Sequence, residues 1–535
     1  KSRMIFGFGN SCGILLNLVF FYSIFLCFFS TVVDSSNLPI YIITRESITQ
    51  EGFNVMAEGV KDLIITSVMS TDIPSFTIDD IDTPIGVVNL NFDNIAIETL
   101  QIDSLVTYFL TNELEVTVNN FQFQISLNFG YKLQTWPYSS DSGQLEITAN
   151  DASFMAEAHI TSKNDAPFVL LDDAEFSLGN FSIDLRGTSE MLSTIIQVAT
   201  PFIQYSIETS MNAILADAIN TICQSLFLPS TCVTIDDTTA VDLRQPTDGI
   251  CQDNILDLPA SGLYYGTDTE FFVPPTTPNP DDLPFIVTND HDQRMFSPLV
   301  VASLFDTYRQ RNMFDVTLVV DDVPSTFPFP VTLSSLLDIF DLPSDIQQLS
   351  PDSPISLSLS LPATPNCDMI AGAVRTLLEF DAVWHVLDSD SGDYVDAVTF
   401  TLDVTLATIP TPKMKDDNIQ TIGLIWMFSV YDASVTVSNC SVMNTQLSSL
   451  FHSMLLDLTY SDALDEWGDY NMFPLTINTT FAYINPTIWY GDTYFAMLMT
   501  YSWMGSSEPE NASEDYSFDR VWNDHKLTSD SICLP

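Results

Sequence analysis

Residues 121–129 read FQFQISLNF. Phe121, Phe123, Ile125, Leu127 and Phe129 alternate with Gln122, Gln124, Ser126 and Asn128. Successive side chains of a strand point to opposite faces, so this period of two fixes a long strand with one apolar and one polar face. The apolar face cannot stay in water. It has to be covered by other elements of the chain or by something bound.

Covering elements are legible on both sides. Within residues 44–70, Phe53, Met56, Val60, Leu63, Ile64 and Val68 recur mostly three and four apart. That spacing predicts an amphipathic helix, stopped by Pro74. Leu90, Phe92, Ile95 and Ile97 predict another strand, irregular between Phe92 and Ile95. Over residues 190–226, Leu192, Ile196, Ala199, Ile203, Ile207, Met211, Ile214, Ala218 and Ile222 form one helical stripe. Roughly thirty residues at ~1.5 Å each give a helix of about 45 Å, which Pro201 is expected to kink or divide.

Residues 273–285, VPPTTPNPDDLPF, interrupt this pattern with five prolines. Proline donates no ladder hydrogen bond and fixes its own φ, so the backbone runs extended here, close to polyproline II. Beyond it the same grammar returns. Residues 297–308 predict a helix on Leu299, Leu304, Phe305 and Tyr308, and residues 332–340 a short one. Ile355, Leu357, Leu359 and Leu361 alternate with serines, and Val398, Phe400, Leu402, Val404 and Leu406 alternate again, as do Val435 and Val437. Leu447, Leu450, Phe451, Met454, Leu455 and Leu458 predict a late helix. Each half reads helix, strands, helix, with no short-period repeat of a solenoid.

Charge narrows the partners. The chain has 16 Lys plus Arg against 70 Asp plus Glu, a formal net charge of -54, and residues 416–519 hold no Lys or Arg. Nucleic acid needs cations to displace phosphate counterions, so it is excluded as a partner, and anionic surfaces are repelled. Residues 13–33 are free of charge and follow Lys1 and Arg3. They read as the core of a signal peptide over residues 1–35, with an uncleaved anchor as the alternative, since about twenty apolar residues span a bilayer. The expected location is extracellular or the lumen of an endomembrane compartment.

Cys12 and Cys27 belong to this leader. Cys223, Cys232, Cys251, Cys367, Cys440 and Cys533 are disulfide candidates, with fifteen connectivities open. No C-x-x-C occurs, so no zinc site is expected. Asn180, Asn439, Asn478 and Asn511 each begin an N-x-S/T glycosylation triplet.

No catalytic motif stands out, although 70 acidic side chains make carboxylate pairs inevitable by chance. There is no G-x-S-x-G elbow. His291, between Asp290 and Asp292, is expected to make an orienting hydrogen bond rather than to catalyse. Residues 388–396, DSDSGDYVD, place Gly392 and Asp393 out of register for a calcium-binding EF-hand loop and predict a polar hairpin turn. No catalytic residue, metal or cofactor is expected.

Several segments carry a resemblance in order. They are Glu51-Gly52-Phe53 with its helix running to Ile73-Pro74, residues 207–223 with Met211-Asn212, the proline segment followed by Asp290-His-Asp-Gln-Arg-Met295, Phe473-Pro-Leu475, and Tyr494-Phe-Ala-Met497. Over about residues 40–505 the chain resembles the family of bactericidal/permeability-increasing protein, lipopolysaccharide-binding protein and the plasma lipid transfer proteins, part of the tubular lipid-binding superfamily. The resemblance implies an α+β boomerang. Each half would be a twisted antiparallel sheet wrapped around long helices, the halves joined by a central sheet and a proline-rich connector. The domains would be residues 40–270 and 291–505, with the connector at 271–290 and an acidic tail at 506–535.

The resemblance also implies an apolar pocket for acyl chains in each half. The wall candidates are Val60, Ile64, Phe121, Phe123, Ile203, Ile207 and Met211 in the first half. In the second they are Leu304, Leu357, Leu359, Phe400, Phe451 and Leu455. On pattern alone these side chains suit a closed core as well as a pocket wall. The expected function is carriage of phospholipid-like amphiphiles, with transient docking on a membrane or lipoprotein-like surface. The alternatives are a defence protein binding bacterial lipopolysaccharide, a secreted acidic hydrolase, and an inert structural glycoprotein. Two departures stand out. No cysteine lies between the leader and Cys223, with Ala216 at the expected helix position, so Cys232 and Cys251 suggest a different local bridge. And the basic tip of the antibacterial members has no counterpart in so acidic a chain.

Overall fold

Thr44 opens a strand, not a helix: β1 (Thr44–Thr49) precedes α1 (Gln50–Met69). The apolar three-and-four spacing begins only at Phe53, and residues 44–48 are paired on both sides in a sheet. The computed structural model describes residues 40–503 apart from 136–137, 187–189, 227–231, 236–237, 253, 267–271, 275–277, 279–282, 285–289, 320–331, 415–420, 443–470 and 478–480. The leader, the acidic tail, most of the proline segment and the late helix with Phe451 and Leu455 lie outside the described residues. The described chain is mostly antiparallel sheet with few helices.

The first large sheet is built from β2 (Phe76–Thr83), β3 (Gly86–Leu110), β4 (Glu113–Leu133), β5 (Ser140–Lys163), β6 (Ala166–Ser177) and β7 (Asn180–Arg186). They follow one another in order, with β6 and β7 sharing the far edge of β5. The strands β3 to β5 run 25, 21 and 24 residues, far beyond the usual three to ten. Strands of this length have to curve, and the ladder breaks where they do. The register shifts between Ile78 and Ile81, Asp93 and Ala96, and Val118 and Phe121. Asp80, Asn94 and Asn120 occupy these breaks with φ of 57°, 49° and 53°. Asn and Asp tolerate the left-handed conformation, and each bulge adds twist and bend. The irregularity expected between Phe92 and Ile95 is one of them.

α2 (Glu190–Leu226) is a single helix of 37 residues with Pro201 inside it. Pro201 does not divide it; on the preceding turn, Thr200 Oγ1 donates to the Ile196 carbonyl. The buried stripe is as expected, except that Leu215 is sealed where Ile214 is half-buried. α1 packs on β3 and on α2, and α2 packs on β2 and β6.

Short strands lead to the second half: β8 (Cys232–Thr234), β9 (Thr239–Asp242), β10 (Ile250–Gln252), β11 (Ile255–Ala260) and β12 (Leu263–Gly266). After the proline segment come β13 (Asp292–Phe296), α3 (Leu299–Gln310), β14 (Val316–Val319), α4 (Leu333–Leu337) and β15 (Phe340–Asp341). The second large sheet adds β16 (Ile355–Ser360), β17 (Asn366–Ile370), β18 (Ala373–Leu387), β19 (Tyr394–Met414) and β20 (Thr421–Val437). β21 (Ser441–Val442) pairs β15, and β22 (Phe473–Ile477) closes the order β14-β16-β18-β19-β20-β22. β16 and β17 share one edge of β18, the device seen with β6 and β7 on β5. Residues 388–393 are the turn between β18 and β19.

The last strands, β23 (Phe481–Tyr490) and β24 (Phe495–Trp503), join a six-stranded sheet in the order β10-β11-β1-β13-β24-β23. Three strands from before the proline segment stand side by side with three from after it, joined through β1 and β13, so neither half can complete the sheet alone. Beyond it, β12, β9 and β8 form a three-stranded sheet of their own. No helix among the described residues is long and apolar enough to cross a membrane.

Cysteine pairing differs from expectation. Cys232 is disulfide-bonded, but Cys251, Cys367 and Cys440 are free thiols. The suggested Cys232–Cys251 bridge is ruled out, because Cys251 is a free, buried thiol; it belongs to the six-stranded sheet and Cys232 to the three-stranded one. The side chains of Cys223 and Cys533 lie outside the described residues. Asn180 and Asn439 are exposed; Asn478 and Asn511 are not described.

Candidate functional site

The inner face of the first sheet is apolar along its length. On β4, Phe121, Phe123, Ile125, Leu127 and Phe129 are at most 2% exposed, while the alternate positions face water. Next to β4, β5 turns Ala149, Ala152, Ala156 and Ala158 inward. Phe123 pairs with Ala149 and Phe121 with Ala152. The small residues let the Phe121 and Phe123 rings lean across β5 to Phe176 of β6, at 5.7 and 6.0 Å between centroids. α1 contributes Val60 and Ile64, and α2 contributes Ile203, Ile207 and Met211, all at most 3% exposed. The first-half wall candidates therefore share one apolar interior.

In the second half Leu304, Leu357 and Phe400 are buried and Leu359 is half-buried. Aromatic rings dominate here. Phe305 of α3 stands 5.5 Å from Phe428 and 6.1 Å from Phe314, which meets Phe380 at 6.3 Å. A buried polar node pins the neighbouring region. Tyr264 Oη donates to the Asn471 carbonyl at 2.7 Å, and Trp426 Nε1 lies 3.1 Å from both oxygens. Burial raises the Tyr264 hydroxyl well above its ordinary pKa, so it stays a donor.

The six-stranded sheet carries charges that sequence reading missed. On one face, Arg45 Nε lies 3.3 Å from Asp257, and Arg45 Nη1 donates to the Leu283 carbonyl at 2.7 Å. Leu283 packs with Met295, Ala496 and Leu498, so this residue of the proline segment sits over that face. Burial pushes the Asp257 carboxyl up to about 6 against the pull of Arg45. On the other face, Arg294 bonds Glu46 and lies 3.5 Å from Asp292. Burial lifts Glu46 to about 7, opposed by Arg294.

His291 acts through its backbone. Its carbonyl accepts from Thr49 N at 2.9 Å, just ahead of α1. Thr49 Oγ1 accepts from Gly52 N and caps the helix. Beside this point an open groove of about 630 Å³ is lined by Gln50, Glu51, Asn54, Val55, Glu58 and Asn254. Gln50 and Asn54 spend their amides on Thr107 and Phe109, which leaves two carboxylates, the Asn254 amide and one valine. That lining does not suit an acyl chain.

One array has the connectivity of a hydrolase. His385 Nε2 is 3.0 Å from Ser358 Oγ and Nδ1 is 2.8 Å from Asp396 Oδ1. Ser358 lies inside β16, paired with Thr317 on one side and Val383 on the other. Its N–H therefore lies in the plane of the sheet and cannot turn to a developing oxyanion, where such catalysis needs donors. The array ties three strands together on the polar face.

No protein-family model matches this chain, and no curated protein matches its sequence. Among solved structures, the crystal structure of lipopolysaccharide binding protein superposes with a TM-score of 0.53 at 10% identity, covering 87% of this chain and 100% of that one. Its fold is like that of lipopolysaccharide binding protein. Takeout 1 of Epiphyas postvittana gives a TM-score of 0.23 at 12% identity over 32% of this chain and 88% of its own. P47 of Clostridium botulinum E1 gives 0.24 at 11% identity over 86% and 99%. The likeness to lipopolysaccharide binding protein agrees with the resemblance read from the segments between residues 40 and 505. At 10% identity it reports architecture, and the chemistry has to come from this chain's own side chains.

Proposed function

We propose that this protein is a secreted carrier of phospholipid-like amphiphiles that performs no chemistry on them. Acyl chains lie between the inner faces of the large sheets and the helices, with headgroups toward solvent. The observation that carries this reading is the inner face of β3 to β5, apolar over strands of more than twenty residues, in a fold like that of lipopolysaccharide binding protein. A buried methylene contributes about 0.8 kcal/mol, so an enclosed chain is held tightly without charged contacts. The carrier would meet donor and acceptor surfaces transiently.

Binding of bacterial lipopolysaccharide is the second reading, favoured by the neighbour's name and opposed by the net charge of -54. The deciding experiment is transfer of a fluorescent phospholipid between vesicles, with lipopolysaccharide as competitor. Saturable transfer that lipopolysaccharide does not inhibit supports the carrier. Inhibition at stoichiometric lipopolysaccharide supports the second reading, and absence of both activities refutes the two together.

A further inference from the structure

One edge of the second large sheet is left unguarded. β19 pairs β20 almost from end to end, but on its other side β22 covers only residues 421–424. From Ile425 onward, no strand among the described residues lies on that edge. An open edge is a template for another chain, and proteins block it with charge, proline or brevity. The other edges of the large sheets follow that rule. β2 carries Asp79, Asp80 and Asp82, β6 carries Asp172, Asp173 and Glu175, β7 carries Asp184 and β17 carries Asp368. β14 has four residues and β10 three, and β23 contains Pro486. By contrast, no acid stands between Asp417 and Asp432 on β20, or between Asp403 and Asp416 on β19.

The surface beside this edge is apolar. Ile409 of β19 pairs directly with Met427 of β20, and the two are 38% and 43% exposed. Tyr431 is 65% exposed at the bulge where the ladder slips between Thr405 and Leu406. Leu377 of β18, also exposed, lies opposite Thr405. The first sheet is the opposite case: Glu115 faces Glu157, and Glu157 faces Asp172, across adjacent strands. A chain that tolerates carboxylates side by side there has cleared them from the outward face of β19 and β20.

We infer that two copies of this chain meet here, β20 against β20, antiparallel about a twofold axis. Charge selects both the partner and the place. Two bodies of formal charge -54 repel over most of their surface and can approach only where carboxylates are missing. A strand edge paired with its own copy is self-complementary, and the twofold closes the assembly at two chains. The register is bounded as well. Inward side chains must meet inward ones, since a slip of one residue turns every side chain over. β22 ends its cover at Leu424 and the bulge falls at Tyr431, which leaves residues 425–430. Met427 then faces Ile425, Met427 or Ser429 of the second copy, and Asp432 falls outside the paired stretch. Pairing covers Met427 and joins the two apolar surfaces into one. None of this depends on what the interior carries.

The test is the mass of the full chain in solution, by sedimentation over a range of protein and salt concentrations. Twice the mass of one chain should appear at high protein concentration. It should strengthen at about 0.5 M salt, where screening weakens the mutual repulsion. Met427→Glu should raise the dissociation constant at least about tenfold with its melting temperature unchanged, because carboxylates then meet near the axis. Leu170→Glu, at a comparably exposed site on the first sheet, should leave the constant as it is. Should Met427→Glu unfold, Ser429→Glu on the same exposed face takes its place. The mass of one chain under every condition overturns the inference, as does a dimer indifferent to the folded glutamate variant. Sedimentation with phospholipid vesicles that Met427→Glu abolishes, in a protein that otherwise stays single, would assign the face to a lipid surface and overturn it too.

Discussion

A methyl group added to Gly52 would stand 2.4 Å from the carbonyl oxygen of His291. These residues are 239 positions apart in sequence, on either side of the proline segment. Their approach holds the first turn of α1 against the entry to β13, where the same oxygen accepts from Thr49 N. In an ordinary helix Gly→Ala stabilises by about 1 kcal/mol. Here the sign should reverse. The obstacle is backbone, which cannot rotate away, and overpacking of this kind costs about 1–3 kcal/mol. The urea midpoint of Gly52→Ala should fall accordingly; an unchanged or higher midpoint would show that α1 is not seated on His291.

Stability should decline as pH rises toward neutrality. Asp257 and Glu46 are both held above their ordinary values, at about 6 and about 7, chiefly by burial. A carboxyl raised on folding stabilises the fold fully below its unfolded pKa, and that contribution is lost as pH climbs through the folded value. The window therefore runs from about pH 4 to about pH 7. Arg294 and Asp292 are the charged side chains that face Glu46 on this sheet face. Glu46→Gln should flatten the upper part of the curve, by no more than about 3 kcal/mol at ~1.4 kcal/mol per pH unit, since Glu46 is partly solvated. Thermal melts of both proteins from pH 4 to pH 8 measure it.

The Tyr264–Trp426–Asn471 node should matter more for its hydrogen bonds than for its volume. Trp426→Phe keeps a ring beside Phe495, 6.2 Å away, but removes the donor to Tyr264 Oη and to the Asn471 carbonyl. Leaving buried acceptors short costs about 1–3 kcal/mol. Tyr264→Phe should show a similar loss, and the double variant less than the sum, because both changes strike one network. Chemical denaturation of the three variants gives the coupling directly.

Thiol reactivity should separate the free cysteines. Burial pushes Cys251 up to about 11 and Cys367 up to about 12. The thiolate is the nucleophile, so both should resist iodoacetamide in the native state. Cys440 is half-buried like Cys367, but Cys367 Sγ is engaged with Thr376 Oγ1 at 3.3 Å, so Cys440 should react first. Peptide mapping after timed alkylation gives the order.

Ser358 should not behave as an activated nucleophile despite its hydrogen bond to His385. A fluorophosphonate probe should leave Ser358 unlabelled by mass spectrometry, because the strand offers no donors for the intermediate. Stoichiometric labelling would reopen the hydrolase reading.

Periodicity revealed the large strands and the long helices because each buries one face only. Phe121 to Phe129 and Leu192 to Ile222 could hardly be read otherwise. It failed at Thr44–Thr49, where a strand enclosed on both faces carries no alternation to detect. Of the left-handed bulges at Asp80, Asn94 and Asn120, only the one at Asn94 was legible, as a skip in the apolar pattern between Phe92 and Ile95, since Asn and Asp are common on any polar face. The charged triple stayed hidden for a different reason. Glu46, Asp292 and Arg294 are neighbours through strand pairing across 248 residues, and nothing in the local sequence of either strand names the other as its partner. The Cys232–Cys251 bridge failed likewise, because closeness in sequence did not place the two on one sheet.

The central claim is that the apolar interior is occupied by lipid. Native mass spectrometry of the protein purified from its own source, before and after mild delipidation, tests it most directly. The account predicts a mass above that of the polypeptide and its glycans, lost on delipidation and identified by fragmentation as phospholipid-like. A single mass that delipidation does not change, from protein that also takes up no lipid from vesicles, would contradict it.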